Sequence, residues 1–351
     1  MPDAHHLFVG TYSRRGSRGI YSTRLDGSTG ALSEPVLGAE TENPTFLALS
    51  PDGGLLYAVS QAAGMVTAHR VSRGTGTLES IRPEDPAAGR APCHVAVDKT
   101  GRTVLAVNFH TAIVGAMPAR ADGSLGVPRV ASHVGHGAHP VRQASAHPHC
   151  AVISPDNRFA LVCDLGLDRI FTYRLDSESA MLAPGSPPFV AADTGSGPRH
   201  LAFGPGGKRA YVLNEINNTV DAYAFDTGRG ALERLQAVST LPVGFAGESS
   251  AAEIAFHPNG RFLYASNRGH DTIASFSVNP ASGLLSAIGH VPCGGEVPRH
   301  FALSPGGAWL VCAHQDSDTL CSFRVDPSSG ELRRVPGTVR VPAPTCVLFG
   351  P

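Results

Sequence analysis

Short apolar runs recur along the chain at nearly even intervals. They are Phe46-Leu47-Ala48-Leu49-Ser50, His94-Val95-Ala96-Val97-Asp98, Cys150-Ala151-Val152-Ile153-Ser154, His200-Leu201-Ala202-Phe203-Gly204, Glu253-Ile254-Ala255-Phe256-His257, His300-Phe301-Ala302-Leu303-Ser304 and Cys346-Val347-Leu348-Phe349-Gly350. Their starts lie about 50 residues apart, the period of a propeller blade. Every run but the last meets a turn: Pro51-Asp52-Gly53, Lys99-Thr100-Gly101, Pro155-Asp156-Asn157, Pro205-Gly206-Gly207, Pro258-Asn259-Gly260 and Pro305-Gly306-Gly307. Proline presets one turn position, and Gly or Asn takes the positive-φ one, so each turn predicts a hairpin. A second apolar strand follows, as in Leu55-Leu56-Tyr57-Ala58-Val59. A third alternates polar and apolar residues, as in Thr272 to Val278, which marks a half-buried strand. A weaker, polar fourth strand comes after turns such as Ser28-Thr29-Gly30 or Ser328-Ser329-Gly330. Four strands fading from apolar to polar describe a blade that runs from a central channel out to solvent.

The two ends of the chain complement each other. The run from Cys346 to Gly350 looks like a first strand with no blade after it. Leu7-Phe8-Val9-Gly10-Thr11-Tyr12 looks like a second strand with no first strand before it. Joined, they complete one blade and leave no open sheet edge. The expected fold is an all-β, seven-bladed β-propeller of four-stranded blades, with one domain over residues 1–351 and a ring closed by the terminal strands.

Composition narrows the function. Charged residues are 16% and the net charge is -1, which argues against a nucleic-acid partner. No apolar run is long enough to span a membrane, and the first residues carry no basic segment followed by an apolar core, so a cytoplasmic protein without a signal peptide is expected. The seven cysteines form no C-x-x-C pair and mostly sit in or beside apolar runs, as reduced buried thiols do.

In such a ring, the start of each first strand and the end of each second strand meet at one mouth of the channel. That filter selects a set rich in His, Arg, Asn and Glu, including His94, His147, His149, Arg199, His200, Glu215, Arg268, Arg299, His300 and His314. Ionisable groups gathered at one mouth make it the default binding site, although any solvated loop face is also polar. In His147-Pro148-His149 the two histidines would face the same way on a strand, which suits metal ligands. No third ligand has a diagnostic spacing, so a general base or donor is the favoured role and no metal or cofactor is expected. Arg199-His200 and Arg299-His300 occupy matching Pro-Arg-His segments, where an arginine capping loop carbonyls is the plain alternative. Glu215 follows Asn214 at a second-strand end where other blades place Gln61, Asn108, Asp164, Asn267 or His314. Arg268, after Asn267, holds the equivalent place one blade on. Two arginines beside one carboxylate would keep it ionised and bind an anionic substrate. Asp168, Asp271 and Asp318 read as turn-fixing residues.

The whole chain, from Phe8-Val9-Gly10-Thr11-Tyr12 to Cys346-Val347-Leu348-Phe349, resembles the seven-bladed propeller lactonases: bacterial propeller-type 6-phosphogluconolactonases and fungal 3-carboxymuconate lactonising enzymes. The resemblance rests most specifically on His147-Pro148-His149, Asp164-Leu165-Gly166-Leu167-Asp168-Arg169, Pro198-Arg199-His200, Asn214-Glu215 and Ser266-Asn267-Arg268-Gly269-His270-Asp271. It implies a catalytic set of one His, two Arg and one Glu, which falls on His149, Arg199, Glu215 and Arg268. His147, His94, His200, Arg299, His300 and His314 are then candidate substrate-binding residues. The sequence departs from the family's Pro-His-x-His at Ala146, which leaves open whether His147 or His149 is the functional histidine. The implied activity is cofactor-independent hydrolysis of a sugar-acid lactone, with Glu215 or His149 activating water. The alternatives are a cycloisomerase or cyclase working on a small polycarboxylate with the same residues, and a non-catalytic interaction propeller. The last expects blade-repeated Trp-Asp pairs, and the chain has one tryptophan, Trp309, and no such pair.

Overall fold

The hairpin turns take the conformations their residues dictate. Gly53, Gly101, Asn157, Gly207, Gly260 and Gly307 all have φ between 63° and 75°, which reverses the chain and lets a second strand return antiparallel. The computed structural model describes residues 4–72 and 74–351. It is a seven-bladed propeller, seven separate antiparallel sheets around a central channel. Six sheets take their strands in chain order. The second blade, for example, contains Pro44–Leu49, Leu55–Ser60, Met65–Val71 and Leu78–Pro86. In the seventh blade the outer strand is broken into Leu332–Arg334 and Val339–Arg340, with Pro336-Gly337 between them.

The remaining sheet has the order Pro344–Phe349, Ala4–Thr11, Gly19–Asp26, Val36–Glu40. Val9 pairs with Val347 and Gly10 with Cys346, so the last strand of the chain is the channel strand of the first blade. The split blade expected from the two termini is the one found.

The core lies between blades. Each inter-sheet gap holds its own apolar cluster, such as Tyr211, Leu213 and Val220 against Ile254, Leu263 and Phe276. The closing gap packs Leu7, Val9 and Leu25 on Trp309, Val311 and Leu320. There the Trp309 ring fills the space a side chain on Gly30 would need, and Trp309 Nε1 donates to Gly27 O at 3.0 Å. All seven cysteines are buried, unpaired thiols. Among the described residues no helix is long and apolar enough to cross a membrane.

Crossovers from one blade to the next pass over the channel mouth. Five are short: 41–43, 87–91, 192–197, 293–297 and 341–343. Two are long: 133–147 leads into the blade that begins at Pro148, and 240–249 leaves the blade that begins at Pro198.

Candidate active site at the channel mouth

One local device builds the inner wall. The first strands of the second to seventh blades, and the closing strand at Pro344, each carry a register shift near their start. Pro198 pairs with Asn214 and His200 with Leu213, so Arg199 has no partner residue. A bulge of this kind re-aims the extra side chain. Cys93, His149, Arg299 and Thr345 are left out of register in the same way, and with Thr45 and Arg199 they line a cavity at the channel mouth. The backbone enters several of these strands from a left-handed residue: Asn43, Ala91, Gly197, Val297 and Ala343 have φ between 42° and 66°. Strained entries of this kind persist where the surroundings fix them.

The bulge also separates the two histidines. His147 precedes the strand and His149 is the bulged residue, so the i, i+2 rule for one strand face does not apply. His147 stays at the rim, stacked on Phe109 with ring centroids 4.3 Å apart, and its Nδ1–H donates to Phe109 O at 3.1 Å. His149 turns into the cavity, buried, with its ring 5.2 Å from that of His200. No group of three or more His, Cys, Asp or Glu among the described residues could hold a metal ion.

The second-strand ends require a correction of register. The second strands end at Ser60, Asn108, Asp164, Asn214 and His314, and Asn267, one residue before the end of Phe262–Arg268, holds the matching place. Several of these side chains face sideways into the preceding crossover. Asn108 Nδ2 donates to Ala87 O at 2.7 Å, Asn267 Nδ2 to Thr240 O at 2.7 Å and His314 Nε2 to Cys293 O at 2.9 Å. His314 therefore lies between blades and not at the cavity, contrary to the expectation for it. One residue further on, the chain holds Gln61, Phe109, Leu165, Glu215, Arg268 and Gln315. Glu215 and Arg268 are thus equivalent to each other, but not to Asn108, Asp164, Asn267 or His314.

Glu215 is the hub. Arg199 Nε donates to its Oε2 at 2.8 Å, and Arg268 Nη2 lies 3.0 Å from the same oxygen. Arg142 Nη2 meets Oε1. Burial pushes the Glu215 carboxyl up, but Arg268, Arg199 and Arg142 outweigh it and hold it down at about 2. The arginines are anchored elsewhere too. Arg199 Nη1 donates to Ala252 O, and Arg268 Nε and Nη2 donate to Ser250 O and Ala251 O at 3.2 and 3.1 Å. Burial pushes the Arg199 guanidinium down to about 10. Arg299 completes the cationic wall, 5.5 Å above the Tyr12 ring. Arg142 was not among the candidates from sequence. It lies on the crossover 133–147, outside the blade repeat, so periodicity gives it no signal.

His200 and His300 line the same cavity, with the Glu253 carboxylate beside both. Glu253 Oε2 stands 3.0 Å from His200 Nδ1 and 3.1 Å from His300 Nε2. His300 Nδ1 accepts the Val347 N–H at 3.2 Å, which places the His300 proton on Nε2, toward Glu253. Burial raises the Glu253 pKa and depresses both histidines, His300 to about 4. His94 is buried and is not among the residues lining the cavity, its ring 4.2 Å from Phe46 and 5.6 Å from His200. His149 is held well below the ordinary histidine range by burial, then by Arg199 and His200. Thr45 Oγ1, His94 Nδ1, His149 Nδ1 and His200 Nε2 are buried without a hydrogen-bond partner among the described residues. Orphaned polar atoms in one channel mark a place built to receive polar groups.

Comparison with known proteins agrees with this architecture. The model of the lactonase family described as a 7-bladed beta-propeller matches residues 6–349. The chain is 39% identical over 345 residues to a 6-phosphogluconolactonase of Bacillus subtilis, covering 97% of each. It is 33% identical over 311 residues to a 6-phosphogluconolactonase of Formosa agariphila, covering 85% of this chain and 86% of the other. The crystal structure of the Pseudomonas aeruginosa periplasmic gluconolactonase PpgL superimposes with a TM-score of 0.94 at 35% identity, covering 99% of both chains.

Proposed function

The chain belongs to the seven-bladed β-propeller lactonase family, and on that premise we propose that its channel mouth hydrolyses a sugar-acid lactone, 6-phosphogluconolactone above all. The observation that carries the proposal is the pairing of a neutral, partly unpartnered His149 with arginines organised on one carboxylate.

The roles follow from charge state. Glu215, held at about 2 by three guanidiniums, has little tendency to take a proton from water near neutral pH. It is the anchor that orients Arg199, Arg268 and Arg142. His149 is neutral in the same range, so one ring nitrogen carries a free lone pair that can accept a proton. Water attacks the lactone carbonyl carbon as His149 takes one of its protons. Arg199 and Arg299, on the cavity wall, stabilise the oxyanion that forms. The ring C–O bond then breaks, and His149 returns the proton to the leaving oxygen. The carboxylic acid of the product ionises and releases the second proton. No step needs a redox partner or group carrier. The seven unpaired thiols support a reducing, cytoplasmic setting.

The test is a panel of lactones assayed by proton release, with and without a chelator. We expect hydrolysis of sugar-acid lactones well above the buffer rate, unchanged by chelation. No acceleration on any sugar-acid lactone would remove the proposal.

A further inference from the structure

The three arginines on Glu215 are not equivalent. Arg199 and Arg268 spend donors on backbone carbonyls as well as on the carboxylate. Among the described residues the Arg142 guanidinium has one partner, Glu215 Oε1. A guanidinium carries five N–H donors in a rigid fork, so most of those on Arg142 are uncommitted. Its side chain is 40% exposed, against 3% for Arg199 and 16% for Arg268. The spare donors therefore face solvent at the mouth.

They face a particular place. The long crossovers 133–147 and 240–249 wall an open groove beside Glu215. His139 and Arg142 line it from one side, Ser249 and Ser250 from the other, with Arg268 between. Glu248 also lines the groove but is exposed and free to turn to solvent. Arg142 is held there by its neighbour. The buried Gln143 side chain donates to Leu165 O at 2.9 Å and to Asp168 Oδ1 at 2.7 Å, and accepts the His139 N–H at 2.9 Å. The crossover is thus fixed without any contribution from the Arg142 side chain.

Charge at the mouth is in excess. Arg142, Arg199, Arg268 and Arg299 surround Glu215, with Glu253 the further carboxylate. A lactone carbonyl develops a single negative charge during hydrolysis, which Arg199 and Arg299 already face. A guanidinium with uncommitted donors, set apart from the reacting carbonyl, suits a dianionic phosphate, which it binds bidentately.

We propose that Arg142, with Arg268 in the same groove, recognises a phosphate on the substrate and makes this site prefer a phosphorylated sugar-acid lactone over its unphosphorylated form. This rests on the lactonase reading above and names the part of the substrate that Arg142 binds. Phosphate takes the uncommitted donors of Arg142 and Arg268, while both guanidiniums keep their contacts to Glu215.

The experiment compares the full chain with Arg142→Ala and Arg142→Lys. Each is assayed on 6-phosphogluconolactone and on glucono-δ-lactone, and each is melted with and without inorganic phosphate. We expect the ratio of kcat/KM for the phosphorylated over the plain lactone to fall about 10- to 100-fold in Arg142→Ala, the loss of a hydrogen bond to a charged group. Arg142→Lys should recover part of it, and phosphate should raise the melting temperature of the parent more than that of Arg142→Ala. Equal losses on both lactones, with equal responses to phosphate, would overturn the assignment and leave Arg142 as a brace for Glu215. A parent inactive on both lactones would count against the lactonase reading, and the phosphate melts would still decide whether Arg142 binds phosphate.

Discussion

Arg199 Nε and Glu215 Oε2 meet at 2.8 Å inside the channel mouth, both nearly removed from solvent. The chain reaches this contact twice from one blade: Arg199 by a bulge at the start of the first strand, Glu215 by the residue just past the end of the second. A buried pair of this kind costs much when one partner is removed, because the other charge stays behind. Here Glu215 restrains several guanidiniums. Glu215→Gln should therefore lower the melting temperature by several degrees and cut kcat/KM, while leaving the acid limb of the pH profile where it was. A general base would behave differently. Its loss would reduce turnover by about 10²- to 10⁴-fold, abolish the acid limb and change stability little.

His149 should show that second pattern. Its pKa lies well below 6.5 because burial and Arg199 disfavour the imidazolium. The base form thus predominates down to mildly acidic pH, and activity should persist below pH 6. His149→Ala should lose about 10²- to 10⁴-fold in kcat and its acid limb, with near-parent melting. Retained turnover in a folded His149→Ala protein would take His149 out of the mechanism.

The ring and its split blade were legible because turns and strand alternation are local. A turn ending in Gly or Asn, mostly led by Pro, announces each hairpin, and the unmatched run at each terminus announces the closure. His149, Arg199, Glu215 and Arg268 were legible as neighbours because they stand at strand ends that the topology gathers. Their orientation was not. The bulge at Arg199 and its counterparts decides which of two adjacent residues enters the cavity, and nothing in Pro-Arg-His signals a bulge. His314 looked like a mouth residue, yet the strand-end position points sideways, to Cys293 O. Arg142 was invisible because it sits on an irregular crossover with no repeat to compare it with.

Six buried histidines give the fold a pH dependence. His69, His300 and His314 are pushed down to about 4 by burial, and His94, His149 and His200 lie well below 6.5 for the same first reason. Their folded pKa values lie below the unfolded one. Between the two, the unfolded chain binds more protons than the folded one, so stability rises with pH there. The contribution is complete above pH 6.5 and is lost as pH falls from 6.5 toward 4, at up to about 1.4 kcal/mol per pH unit for each histidine. Melting temperature should drop steeply between pH 6.5 and 5, with uptake of several protons on unfolding. A melting temperature flat from pH 7.5 to 5 would contradict the neutral assignment of these histidines.

The closing strand gives the last test. Cys346 and Val347 are buried, the strand pairs with Leu7 to Thr11, and Thr345 Oγ1 donates to Thr45 O of the neighbouring blade at 3.0 Å. Val347 also supplies the N–H that fixes the His300 tautomer. A chain ending at Pro344 loses the side chains from Thr345 to Phe349. Burying an aliphatic or aromatic side chain contributes about 1.5–3 kcal/mol. Cys346, Val347, Leu348 and Phe349 together then represent roughly 5–10 kcal/mol, allowing for partial exposure of the last two. That is comparable to the whole stability of a typical domain, about 5–15 kcal/mol. The cut also exposes Leu7, Phe8 and Val9 along an unpaired channel edge, which invites association. The shortened chain should lack a cooperative melt near the parent temperature and should aggregate. A separate peptide spanning residues 344–351, added in excess, should restore part of the melt by re-forming the Val9–Val347 pairing. A cooperative transition at the parent temperature without the peptide would show that the ring does not depend on the joined termini.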